Sequence, residues 1–192
     1  MRIKLAITAC AAALLLLLAG CGGGTKGASP EKWVSAFCGS LATWGQMVKA
    51  DAQQIKARLP KTGSSPSANR LITLRKQFVS FLDRTVTETK ATQKAIREVG
   101  PPGVKNGDKI QDAVTKSLES IVIALKTLTA KARALPVSDP SAFVSQVNAL
   151  GNSLQSSANG LSVAAAALQK YSTPALDKAG SADKSCKALY GG

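Results

Sequence analysis

The chain contains no histidine and only eleven acidic side chains. The first absence removes the imidazole general base, Ser-His-Asp and Cys-His hydrolase arrangements, His-ligated haem and His-containing zinc sites together. The second leaves little from which to build a carboxylate centre. Asp108 and Asp112 are the one close helical pair, four residues apart near an expected helix start, where the helix dipole favours acids in any case. The alternating Asp/Asn spacing of a calcium loop is missing. Gly22-Gly23-Gly24 and Gly100-Pro101-Pro102-Gly103 match neither the GxxxxGK[ST] nor the GxGxxG layout of a phosphate cradle. No enzyme, metal or cofactor is expected, and no catalytic residue is assigned.

Aromatic residues make up only 4% of the chain, and they fall at core spacing rather than as a stacking platform. With the basic residues spread over several segments, nucleic acid is not an expected partner. Period-two alternation and strand-type enrichment in Val, Ile and Tyr are also scarce, while Ala, Leu, Val, Ser and Lys dominate. This balance predicts an all-α fold.

What is present begins at the N-terminus. Arg2 and Lys4 precede an apolar run from Leu5 to Leu18, and Leu18-Ala19-Gly20-Cys21 and Gly22-Gly23-Gly24 follow. The run is shorter than the ~20 residues a membrane-spanning helix needs, which is the layout of a secretory signal. Leu18-Ala19-Gly20-Cys21 resembles the lipobox of bacterial lipoproteins, and the resemblance covers only these first residues. It implies cleavage before Cys21 and a diacylglyceryl group on the Cys21 sulfur, so that Cys21 is a tether. Two acyl chains hold a protein on a membrane where one does not, at about 0.8 kcal/mol per buried CH₂. The expected division is a signal peptide at residues 1–20, a Gly-rich tether at 21–28 and one folded domain at 29–192. The expected location is the extracytoplasmic face of the cell membrane, or an outer membrane where the cell has one.

Such an address also bears on the remaining cysteines. Cys10 leaves with the signal and Cys21 is lipidated, so Cys38 and Cys186 remain, in a compartment that favours their pairing. Two free thiols are the alternative. Loss of Arg2 and Lys4 leaves 23 basic against 11 acidic residues, a net +12. Anionic lipid, a phosphate-rich wall polymer or an envelope protein are the partners such a surface suits. The competing reading is a basic surface that is merely solvated.

Four helices are expected. Ser29-Pro30-Glu31 reads as a cap, a first-turn proline and an early acid, opening a helix with Trp33, Phe37, Leu41, Trp44, Val48, Ala52, Ile55 and Leu59 on one buried stripe. The second runs from about Ser67 to Val99. The third begins near Asp108 as its cap, with Ile110, Val114, Leu118, Ile121, Leu125 and Leu128 inward and Lys109, Lys116, Lys126 and Lys131 outward. The fourth, from about Ser141 to Tyr171, has no charged residue before Gln169 and is expected to be the most enclosed, with Gly151 and Gly160 admitting a neighbouring backbone. Short loops predict an antiparallel up-down-up-down four-helix bundle. That path carries the C-terminal tail back to the start of helix one, where Cys38 and Cys186 would staple it.

Two further expectations concern binding. Thr85, Thr89 and Thr92 on helix two could face Asn159 and Ser162 on helix four, forming a small polar pocket; otherwise the hydroxyls bond back to their own helix. The expected function is a non-catalytic binding or scaffolding role at the envelope through a basic helical surface, the alternative being a receptor for a small ligand in that polar pocket. Ligand, partner and oligomeric state are not specified by the sequence.

Overall fold

A computed structural model of the chain describes residues 27–60, 66–158, 166 and 168–190. Its elements are α1 (Pro30–Arg58), α2 (Ala68–Val99), α3 (Gly107–Arg133), α4 (Pro140–Ala158), α5 (Pro174–Ala182) and α6 (Lys184–Tyr190). The protein is all-helical, and among the described residues there is no strand, only an isolated parallel bridge between Ala28 and Pro102.

Local chemistry sets most of the boundaries. Ser29 Oγ accepts from the Lys32 N–H at 3.3 Å with Pro30 opening α1, and Ser67 Oγ does the same for Arg70 at 3.4 Å. Gly100 ends α2 at φ 77°, a left-handed conformation that costs glycine little. One cap differs from expectation. Asn106, at φ 63°, holds the cap position of α3 without a side-chain bond, and Asp108 lies inside the first turn, where its charge suits the dipole.

The packing partners follow from named contacts. Trp44 on α1 meets Thr89 on α2, and Asp51 meets Arg84, so α1 and α2 run in opposite senses. Gln93 donates to the Thr115 carbonyl, Gln111 to that of Ile96 and Arg75 to that of Leu135, so α2 and α3 also run in opposite senses. The bond from Trp33 Nε1 to Gln111 Oε1, 3.0 Å long, joins the starts of α1 and α3. The molecule therefore has a stapled end, where α1 and α3 begin, and a far end, where they finish.

Helix α3 is the most enclosed element. Ile110, Val114, Leu118, Ile121, Leu125 and Leu128 are all buried, each worth about 1.5–3 kcal/mol relative to exposure. The expectation that the fourth helix is the most enclosed is corrected. In α4 only Phe143, Val147 and Leu150 are buried, and a Cβ on Gly151 would meet nothing within 4 Å. Uncharged Ser, Asn and Gln cover its outer face as readily as charged groups would. The helix packs mainly on α3, and among the described residues it does not approach α1. That leaves Leu41, Trp44, Val48, Ile55 and Leu59 half-buried and Ala52 exposed, instead of the fully buried stripe expected of α1. The tract expected to complete the fourth helix is helical at 168–171, and 159–165 lie outside the described residues.

Helices α5 and α6 pack against α1, and the Cys38–Cys186 disulfide joins them to it across 148 residues. On the chain-entropy account, closing such a loop stabilises the fold by about 4–5 kcal/mol. At the same end Ala28 donates to the Pro101 carbonyl at 2.8 Å and accepts from the Gly103 N–H at 2.7 Å. Ala28, expected within the tether, is thereby fixed to the α2–α3 loop. Gly107 is required there: a Cβ would stand 1.9 Å from the Pro102 carbonyl oxygen.

Candidate binding site

The threonine seam is buried, but it faces α1. Thr85 Oγ1 donates to the Phe81 carbonyl and Thr89 Oγ1 to that of Thr85, the back-bonding pattern of helical threonines. Thr89 also accepts the Trp44 indole N–H at 2.9 Å. Thr92 lines a shallow groove between α1 and α2 with Thr43, Trp44 and Met47. Asn159 and Ser162, the other half of the expected pocket, lie outside the described residues, as does Cys21 with the whole Leu18-Ala19-Gly20-Cys21 box.

Beside the disulfide lies an apolar cavity of about 380 Å³, lined chiefly by Trp33, Val34, Phe37, Leu168 and Leu176, with Asp177 and Lys187 among its few charged groups. Trp33 is 2% exposed and stacks on Phe37, the ring centres 5.0 Å apart. Cys38, Cys186 and Asp183 approach one another closely enough to resemble a metal-ligand set. Their chemistry does not suit one. The two sulfurs are bonded to each other, and Asp183 Oδ1 accepts from the Ser185 and Cys186 N–H groups, capping α6.

The far end has a different character. The described residues among 45–86 and 121–158, which lie in the far half, carry ten basic side chains against three acidic ones. The other described residues carry eleven against eight. Within the basic half, a cleft of about 290 Å³ between α1 and α2 is lined by Asp51, Gln54, Arg58, Lys76, Gln77 and Arg84, among others. A more open hollow of about 400 Å³, lined by Arg75, Lys76, Asp83 and Arg133, adjoins it across Lys76 and Ser80.

Two of these cations are already matched. Arg84 stands 3.0 Å from Asp51 and Arg133 3.2 Å from Asp83. Among the described residues, Arg58 and Lys76 have no acidic partner. The Asp51 carboxylate is largely enclosed, its side chain 12% exposed, and its Oδ2 has charge compensation from Arg84 but no aligned donor. Gln77 Oε1 is buried without a partner. Buried acceptors left unpaired are uncommon in folded proteins. The cleft thus combines unmatched cations with one unpartnered oxygen, that of Gln77, a donor-and-acceptor set suited to a small polar anion.

Sequence reading missed this cluster. Arg58, Lys76, Gln77 and Arg84 belong to two helices, and their convergence depends on the register of α1 against α2. A local signal did exist: residues 45–86 hold eight basic side chains and only Asp51 and Asp83 as acids. Comparison with protein-family models, with curated protein sequences and with solved structures found no match to this chain.

Proposed function

We propose that the chain is a lipid-anchored, extracytoplasmic binding protein without catalytic activity, held by Cys21 and presenting its far, basic end to a phosphate-rich wall polymer. The lipobox resemblance supplies the anchor. The separation of charge along the molecule supplies the direction: ten basic to three acidic residues in the far half, against eleven to eight in the other described residues.

The helices are read as an up-down-up-down path in which α4 lies on α3 rather than closing against α1. The contacts between α1 and α2 and between α2 and α3 support its first three legs. With the tether leaving at Ala28, the far end stands about 43 Å away along α1, at ~1.5 Å per residue. Charges on the anchoring membrane are screened beyond about 8 Å at physiological salt. A basic face at that distance serves a partner in the wall better than the membrane beneath.

The test is co-sedimentation of the full chain, extracted in a nonionic detergent, with wall fragments before and after their phosphate polymer is stripped. Binding that disappears on stripping and weakens with added salt supports the reading. Equal binding to stripped walls contradicts it. Mass spectrometry of the same extract should find a diacylglyceryl-modified Cys21 at the new N-terminus; a retained leader without acyl mass removes the anchor.

A second reading rests on the apolar cavity beside the disulfide, whose Trp33, Phe37 and Leu176 walls suit a small apolar ligand. Thermal-shift screening separates the two, because an occupant adds RT ln(1 + [L]/Kd) to stability.

A further inference from the structure

We infer that the cleft between α1 and α2 is a binding site for a phosphate ester of a polyol, reached from the wall side and not from the anchoring membrane. The inference rests on the wall-polymer reading above and makes it specific to one cleft.

The cations come first. Arg58 and Lys76 line the cleft without acidic partners among the described residues, so a bound phosphate would meet two uncommitted positive charges. A guanidinium can grip two phosphate oxygens at once, and an ammonium adds a point charge from the other side. Arg84 is held by Asp51 and contributes field rather than a free fork.

The acceptors come second, and they separate this cleft from an ordinary basic surface. Gln77 Oε1 is enclosed and has no donor, while Asp51 Oδ2 is enclosed beside the Arg84 guanidinium at 3.0 Å. A phosphate ion, even where it keeps a proton at neutral pH, is repelled by the Asp51 carboxylate. A hydroxyl beside the phosphate would donate to Gln77 Oε1 and relieve the cost that an unsatisfied buried acceptor carries. Ser80 lines the same wall and can donate or accept.

Size comes third. At about 290 Å³ the cleft lies at the bottom of the ~300–1,000 Å³ range of small-molecule sites, room for one or two short polyol phosphate units. The adjoining hollow with Arg75 and Arg133 continues past Lys76, so a chain of such units has a basic track to follow.

The experiment is calorimetric titration of the full chain, reconstituted in phosphatidylcholine vesicles, with glycerol 3-phosphate and with inorganic phosphate. Glycerol 3-phosphate should saturate and bind more tightly than phosphate. Arg58→Gln and Lys76→Gln should each weaken it about tenfold, and Lys126→Gln on the exposed side of α3 should leave it unchanged. Gln77→Leu should narrow the gap between the two probes, and circular dichroism should show each variant folded. Adding phosphatidylglycerol to the vesicles should not alter the affinity. If it competes, lipid head groups occupy the cleft and the wall-side assignment fails. If Arg58→Gln and Lys76→Gln weaken binding no more than Lys126→Gln does, the cleft is wrong while salt-sensitive wall binding still stands. If phosphate binds as tightly as its glycerol ester, polyol recognition is wrong.

Discussion

Trp44 donates its indole N–H to Thr89 Oγ1 at 2.9 Å, and the same hydroxyl donates its own O–H to the Thr85 carbonyl at 2.7 Å. The two bonds form a relay from α1 into the backbone of α2, at the middle of an interface that is otherwise half-buried. A net contribution of about 1 kcal/mol is usual for such a bond, and an indole left without an acceptor costs about 1–3 kcal/mol. Thr89→Val should therefore destabilise more than Trp44→Phe destabilises through the lost bond alone. A double-mutant cycle followed by urea unfolding should give a coupling near 1 kcal/mol. A coupling of zero would mean that the bond adds nothing to the α1–α2 contact.

Two glycines in helices should respond in opposite directions. At Gly107 an added Cβ would meet the Pro102 backbone oxygen at 1.9 Å, and a backbone cannot swing aside as a flexible side chain can. Gly107→Ala should destabilise by about 1–3 kcal/mol and loosen the grip on Ala28. At Gly151 the added methyl meets nothing, so Gly151→Ala should stabilise by about 0.5–1 kcal/mol through helix propensity. Chemical denaturation of the pair reads both signs at once.

Reduction of Cys38–Cys186 should lower unfolding stability by about 4–5 kcal/mol on the chain-entropy model. It should also release α5 and α6 from α1, and hydrogen exchange should rise there before it rises in α3. Equal loss of protection in α3 would show that the staple supports the whole fold rather than one end.

Lys116 pairs with Asp112 one helical turn away, Nζ to Oδ2 at 2.8 Å, and the hydrogen bond and charge of Asp112 hold its ammonium above the ordinary lysine range. A raised folded value means that the pair helps at lower pH and that its help fades as pH rises through the folded titration. Both groups are exposed, so the effect on stability should be small. NMR titration should show Lys116 deprotonating at lower pH in Asp112→Asn than in the unaltered chain.

Much of the fold was legible because capping and termination are local. Ser29-Pro30, Ser67 and Gly100 mark their own boundaries, and the stripe from Ile110 to Leu128 announces the buried face of α3. The pairing of Cys38 with Cys186 was legible from the residues left over once the lipobox was read. The burial of the fourth helix was not, because an uncharged Ser/Asn/Gln surface resembles an interior one in sequence. Only the neighbours of α4 decide between them. The threonines were seen as a polar seam; their burial, and the meeting of Thr89 with Trp44 of α1, depend on helix rotation. Trp44, at core spacing on α1, was the overlooked partner. The far-end cleft needed two helices in register before its cations and the unpartnered Gln77 oxygen could meet.

The account turns on which end of the molecule does the binding. Full chains carrying Arg58→Gln with Lys76→Gln at the far end, or Lys105→Gln with Lys109→Gln at the stapled end, lose the same charge. Their co-sedimentation with polymer-bearing walls should differ: the far-end pair should abolish most binding, and the stapled-end pair should leave it nearly intact. Equal losses would mean that net charge alone governs the interaction, and would contradict a directed far-end site.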